Sequence, residues 1–551
     1  MSNKLEEKFK HDAPGLVKGV KQNLISGQFK IAVVGCGAAG VATLLAFLES
    51  FSIEINKRIK ITIFEKGVIF GPGFAYQCDN NELLMNMVSS TTSIFPHQQS
   101  DFWLWMLEKG YWLGGNKVLS RSGVAPDGYI SRQFFGLYLK SRLDNAIVAL
   151  ENLGVEIELV NLEVTNISFI RENFFNVGFA KESSKSFNSV ILCIGHTAPK
   201  DHFNLKGKSQ YINNPYPVNQ YLELIKKDDC VGIIGGQLTA ADIAVALANQ
   251  GHQGPINFFT RDLNLPLARG EIKNYELKYL THENLESLKK KYREGISIRQ
   301  ILKLARKDFI LAGVRWNIFF KNSKIEYGTW IKSLLENDCK FLNWQNLAIG
   351  TDAIIGDYWN ALSEVQKGLF MSRVHRQWMA KRVPLPVHTT LKLYSLFQMG
   401  ILRHYPYLRK IDASVRNKFT ASISYADRPT ITTEVQCDWL INASGPARDV
   451  DCKDSLLIKN LLESGVISKN PHGGIMLDFE TSLIKRSDQQ KINGFYAIGH
   501  LTSGTYYFVS SLDMVSLRAK RVVKHLTEYI SVSDSHEEAI NHGLSEGEYA
   551  A

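Results

Sequence analysis

The residues best placed to do chemistry are glycines, and the chemistry they suit is the binding of a phosphate-bearing ligand. Gly35-Cys-Gly37-Ala-Ala-Gly40 has the spacing of a dinucleotide-binding turn. Gly35 permits the tight turn, and Gly37 lets the main chain approach a pyrophosphate. Gly40 lets the helix opened by Ala38 and Ala39 pack closely, with its positive end toward the phosphates. Glu65, followed by Lys66, ends the next apolar run, where a carboxylate accepts hydrogen bonds from a ribose. A second turn, Gly235-Gly-Gln237-Leu-Thr-Ala240, keeps the first glycine and the small last residue. Gln237 stands there in place of the middle glycine, with Leu238 and Thr239 after it. Arg261, closing the following strand, favours a ligand with a 2′-phosphate, hence NADPH.

Three further segments end an apolar run in small residues, as strands do where they meet a bound dinucleotide. They are Ser189 to Gly195 (with Cys193), Cys437 to Gly445, and Gly494 to Gly499 with His500. With the first turn and Glu65, the Gly499 strand predicts an FAD site. Val164, following Asn161, is expected to offer a main-chain contact to the adenine. Asn86, Arg132, His97 and His500 are the polar candidates for the pocket, and Asn86 and Arg132 are the catalytic candidates. No metal site is expected.

These residues need elements to hold them. Lys30 to Gly67 reads as strand, glycine turn, helix and strand, and the same order begins again at Cys230. Two such units predict an α/β fold with two doubly wound, Rossmann-type dinucleotide-binding domains. After the second unit's opening strands, 270–420 carries Leu, Lys and Glu at helical spacing with Trp316, Trp330, Trp344, Trp359 and Trp378, which predicts a largely helical insertion with its aromatics in the core. The expected division is a lead at 1–28, an FAD-binding part at 29–205 and an NADPH-type domain with the insertion at 206–420. A return to the FAD domain follows at 421–530, with a last helix at Leu512–Tyr529, and then a disordered tail at 531–551.

Composition narrows the alternatives. The 551 residues allow several domains, and 45% hydrophobic with 21% charged residues excludes a disordered chain. Seven cysteines without any C-x-x-C exclude a zinc ribbon and a thioredoxin-type site. Cys78 is the one cysteine soon after Glu65, so the cysteine pair of a disulfide reductase is missing. A net charge of +10 without basic-aromatic spacing argues against nucleic acid. The uncharged stretch 31–48 has the length of a membrane span, but its glycines mark a turn between strand and helix, so no membrane partner is expected. The polar start lacks a secretory pattern, which predicts a cytoplasmic protein.

The remaining motifs carry a resemblance. Gly71-Pro-Gly73-Phe-Ala-Tyr76 through Leu83-Leu-Met-Asn86-Met87 resembles the G-x-G-x-A-Y…L-L-N-V signature of a bacterial FAD/NAD(P)-binding protein family. Tyr129 to Tyr138, with Arg132 and Gly136, is similar to its P-R-x-x-x-G-x-Y helix, with Ser131 in place of proline. Leu238, Thr239 and Asp242 match its G-x-G-L-T-x-x-D segment, and Arg373 to Pro386 its helical R-x-P stretch. The resemblance spans about residues 29–525. That family is distantly similar to class B flavin monooxygenases and to amine and amino-acid N-hydroxylases. In those enzymes NADPH reduces FAD, O2 adds to the flavin, and the hydroperoxide hydroxylates a nucleophile. The resemblance therefore implies an FAD- and NADPH-dependent monooxygenase that takes O2 and a small-molecule substrate, with an amino acid or small amine hydroxylated on nitrogen. It implies Asn86 and Met87 beside the FAD. A flavin oxidoreductase without oxygen insertion is the alternative. A non-catalytic FAD-binding scaffold is the other, kept open by Gln237.

Overall fold

The computed structural model describes residues 28–541 except 52–58, 112–127, 172–173, 181–182, 197, 264, 267, 271–274, 294, 315, 317–330, 333–342, 415–417, 426–427, 429 and 451–454. The lead at 1–27, Trp330 and the end of the chain from 542 lie outside the described residues.

The apolar run Phe29–Val34 forms a strand whose last four residues are fully buried, as befits a strand covered on both faces. It pairs in parallel with Ile59–Phe64 on one side and Ser189–Leu192 on the other. The complete sheet runs Leu483–Lys485, Lys491–Ala497, Ser189–Leu192, Phe29–Val34, Ile59–Phe64, Glu156–Val160. From its central strand the chain winds first to one side and later to the other. The reversal leaves a crevice at the carboxyl ends of Phe29–Val34 and Ser189–Leu192, where ligands of open α/β sheets bind. One face is covered by the helices Ala38–Ser50, Arg132–Asn152 and Leu512–Asn541. The opposite face is covered by the antiparallel strands Val164–Arg171, Phe174–Phe179 and Ser183–Phe187 with the helix Leu456–Glu463. The last helix runs on to Asn541, past the Tyr529 expected from the sequence.

The second sheet is parallel throughout, in the order Leu402–Tyr405, Ile256–Phe259, Val231–Ile234, Trp439–Asn442, Tyr211–Ile212. This corrects the expected return to the FAD domain at 421, because Trp439–Asn442 hydrogen-bonds to Val231–Ile234 instead. The strands Leu408–Ala413, Phe419–Ser424 and Thr432–Cys437 also belong here, packing as an antiparallel layer against Phe259 and Leu440. Further along, helix Leu456–Glu463 lies against the first sheet.

Helices between His282 and Gln398 fill the crossover from strand Ile256–Phe259 to strand Leu402–Tyr405. The first two are capped at their starts: Thr281 accepts from the Asn284 amide, and Ser297 with Gln300 forms a capping box. The fully buried Asp308 carboxylate accepts from the amides of Lys278, Tyr279 and Leu280, which ties helix Ile298–Leu311 to the preceding turn. Trp344 and Trp359 are buried in this insertion's core.

Candidate functional site

The first crevice is built by close main-chain approaches that side chains would block. Gly35 has φ +100°, and a Cβ there would lie 2.4 Å from the Cys193 carbonyl oxygen. A Cβ on Gly40 would lie 2.4 Å from the Gly35 oxygen, so the helix packs directly on the turn. Gly37 is the N-cap of helix Ala38–Ser50, at φ −85° and ψ −159°, and no side chain caps that helix. Its first amides are left to whatever anion lies over them. Gly73 backs onto Gly37, where a Cβ on Gly37 would come within 3.3 Å of the Gly73 Cα.

Glu65 reaches back into this turn. Its Oε2 accepts from the Cys36 amide at 2.7 Å, and its Oε1 accepts from the Gly67 amide at 2.8 Å. Lys66 beside it is exposed. Asn161 Nδ2 donates to the Glu65 carbonyl, and three residues on Val164 opens its strand with a buried side chain. Cys193 closes the neighbouring strand, its amide donating to the Val34 carbonyl at 2.7 Å. Burial pushes its thiol up to about 12, and pushes Cys36 well above the ordinary thiol range. Gly195, at φ +73°, has open space where a Cβ would point. Gly499 faces Ala39 across the crevice, with a would-be Cβ 3.8 Å from the Ala39 Cβ. The structure thus gathers Gly35, Gly37, Ala39, Gly40, Glu65, Cys193 and Gly499 around one helix N-terminus.

The second crevice repeats this geometry. Gly235 has φ +123°, with a would-be Cβ 2.5 Å from the Ala443 oxygen. Gln237 caps helix Leu238–Asn249 at φ −97° and ψ −163°, close to the Gly37 values. The turn therefore forms with glutamine as it does with glycine. Leu238 and Thr239 are the first helical residues, and that helix also lacks a side-chain cap. Arg261 is exposed one residue beyond Thr260, and its charge acts on His202 and His375.

Arg132 and Asn86 join the two units. Arg132 donates through Nη2 to Asp242 Oδ2 at 2.6 Å, through Nη1 to the Tyr216 hydroxyl at 3.1 Å, and through Nε to the Leu84 carbonyl at 3.2 Å. Each of its three side-chain nitrogens thus makes a hydrogen bond, and Arg132 bridges the two units. The Asn86 carbonyl accepts from Arg269 Nη2 at 2.9 Å, which ties the loop bearing Asn86 and the half-buried Met87 to the second unit. His97 is exposed beside Asp513. His500 Nε2 donates to the Ala447 carbonyl at 2.8 Å, with its ring 4.8 Å from that of His196.

Sequence reading missed a cluster beyond Gly445. Arg448 donates to the carbonyls of Ser503, Tyr507 and His472. Tyr507 is buried at φ +65°, a strained conformation for a residue with a side chain. Its hydroxyl lies 3.0 Å from His375 Nδ1, and its ring packs on Trp359 and Phe370. Arg448 sits three residues past a strand-end motif that was legible, whereas the Tyr507 backbone leaves no trace in composition.

Burial holds the imidazoles of His375, His404 and His500 down to about 4, and the charges of Arg448 and Arg376 add to this at His375. In the unfolded chain each titrates near its ordinary ~6.5. Between those values the unfolded state binds more protons, so stability falls as pH falls through this window. Each histidine contributes up to about 1.4 kcal/mol per pH unit. Urea midpoints measured at pH 7, 6 and 5 should therefore drop steadily, and replacing the three histidines with glutamine should flatten the slope.

Among the described residues no group of three or more His, Cys, Asp or Glu could hold a metal ion, and no helix is long and apolar enough to cross a membrane. Residues 32–197 match the family described as FAD-NAD(P)-binding. An uncharacterized protein of Escherichia coli K12, YdhS, is 25% identical over 234 residues, and the match spans 40% of this chain and 40% of that protein. The cadaverine monooxygenase DfoA of Erwinia amylovora, solved with FAD, superposes with a TM-score of 0.55 at 11% identity, over 91% of this chain and 95% of that one. The ornithine N-hydroxylase of Kutzneria sp. 744, solved with reduced FAD, NADP+ and L-ornithine, gives 0.53 at 13% identity, over 91% and 99%. L-lysine 6-monooxygenase of Pseudomonas syringae gives 0.54 at 13% identity, over 90% and 99%. The chain thus carries an FAD-NAD(P)-binding domain at 32–197 and shares, at low sequence identity, the fold of these three enzymes.

Proposed function

We propose that this protein is an FAD-dependent, NADPH-consuming monooxygenase that hydroxylates a small amine or amino acid on nitrogen. The observation that carries this reading is the pair of glycine turns of near-identical backbone, each at the reversal point of its own sheet. The first crevice suits FAD: the uncapped amides at Gly37 to Ala39 face the pyrophosphate, and Glu65 receives the adenine ribose. The second suits NADPH, with Arg261 at the 2′-phosphate. Bound FAD supplies hydride acceptance and oxygen activation; the chain supplies orientation, shielding and the fixed spacing of the two crevices. Arg132 and Asp242 hold that spacing, and the Asn86 loop is braced from the second unit by Arg269.

The reading is tested by oxygen uptake of the FAD-loaded protein with NADPH and a panel of amines. Substrate-dependent uptake with equimolar hydroxylamine product supports it. NADPH oxidation with no hydroxylated product from any amine favours an oxidoreductase without oxygen insertion.

Two substitutions probe the second crevice. Arg261→Ala should raise the KM for NADPH about tenfold, the weight of one exposed phosphate contact of about 1.4 kcal/mol, and leave that for NADH nearly unchanged. Gln237→Gly should lower the KM for NADPH, because a side chain at the N-cap must move from the path of the pyrophosphate. That rearrangement costs about 1–3 kcal/mol, roughly 5- to 150-fold in affinity. Weaker binding in Gln237→Gly would identify the glutamine as a phosphate ligand instead.

A further inference from the structure

The helical insertion holds a cavity of about 110 Å³. Its walls come from helices Ile298–Leu311 and Asp352–Asn360 and from the 370–378 stretch, with Tyr507 facing in. No residue of either glycine turn lines it. The wall presents apolar surface, and the polar groups of Tyr358, Trp359, Thr351 and Tyr507 are bonded elsewhere. The Tyr358 hydroxyl donates to the Thr281 carbonyl at 3.0 Å, and Trp359 Nε1 donates to the Gly504 carbonyl at 2.8 Å. The Thr351 hydroxyl donates to the Ala348 carbonyl at 2.6 Å, and the Tyr507 hydroxyl is engaged by His375.

Helix Asp352–Asn360 separates the cavity from a smaller space that Gly499 of the first crevice also lines. The helix lines that space at Ala353, Gly356 and Asp357. Tyr506 and Phe508 face that space, while Tyr507 between them faces the apolar cavity. The strained Tyr507 backbone is what turns its ring to the other side.

We infer that this cavity binds an uncharged apolar group of about the size of one aromatic ring. An apolar cavity of about 150 Å³ is known to take benzene, so the space is of the right order. A free diamino acid would bring a carboxylate and ammonium groups against a wall with no partner for either. As a substrate pocket, a role that rests on the monooxygenase reading, the cavity selects an amine carrying an apolar body over ornithine or lysine.

Calorimetric titration of the FAD-loaded full chain with toluene tests the site without relying on turnover. The expected result is saturable one-to-one binding, weakened at least tenfold in Ala305→Phe, which fills the cavity, with FAD content retained. Ile355→Ala should enlarge the space and strengthen indole binding at least tenfold, which guards against a misfolded Ala305→Phe. Absence of saturable toluene binding to the unsubstituted protein overturns the inference, as does competition of L-ornithine with toluene at equal concentration. Oxygen uptake with benzylamine against L-ornithine separates the two claims. Toluene binding without uptake on any amine of the panel leaves the site standing and removes the monooxygenase reading.

Discussion

Gly37→Val should give folded protein without FAD. The valine Cβ would lie 3.3 Å from the Gly73 Cα, and its two methyl groups would extend from the helix N-cap toward Gly73 or the space above the first amides. Either direction removes the approach on which a pyrophosphate depends. The expected loss exceeds roughly 100-fold in FAD affinity, about 3 kcal/mol or more. Absorbance at 450 nm after purification reads it, and far-UV circular dichroism shows whether the sheets persist. Gly37→Ala, with no branches to place, should retain part of the cofactor.

Arg132→Leu should destabilise the chain by about 3–5 kcal/mol, because it strands the Asp242 carboxylate in a buried interface. Burial raises Asp242 to about 6, against the Arg132 guanidinium and the Tyr216 hydroxyl, which hold it down. Without Arg132 the carboxylate is pushed higher still and takes up a proton more readily. The defect should therefore be large at pH 8 and smaller at pH 5. The double variant Arg132→Leu with Asp242→Leu should recover much of the loss, since an apolar pair can replace a buried ion pair at little cost. A single variant as stable as the parent at pH 8 would show that the ion pair does not hold the two units together.

Both turns were legible because their glycines answer main-chain requirements that hold wherever such a turn forms. Glu65 was legible for a similar reason, since its place at a strand end is fixed by the turn it serves. The allocation of strands was less so. Trp439–Asn442 is an apolar run like any strand buried on both faces, and nothing within it tells which sheet it joins. The Arg132–Asp242 pair spans 110 positions, so each residue alone reads as a charge near a motif. Gln237 reads as a departure from the glycine pattern, whereas its backbone adopts the same turn as Gly37 does. The Tyr507 ring packs against Trp359, Phe370 and His375, which come from helices remote in sequence.

The central claim is that one chain holds FAD at the first turn and NADPH at the second, close enough for hydride transfer. Anaerobic mixing of the FAD-loaded protein with NADPH, followed at 450 nm, tests it most directly. The account predicts bleaching of the flavin that is slowed in Arg261→Ala and restored by higher NADPH. A protein that retains FAD but stays oxidised with both NADPH and NADH would contradict it.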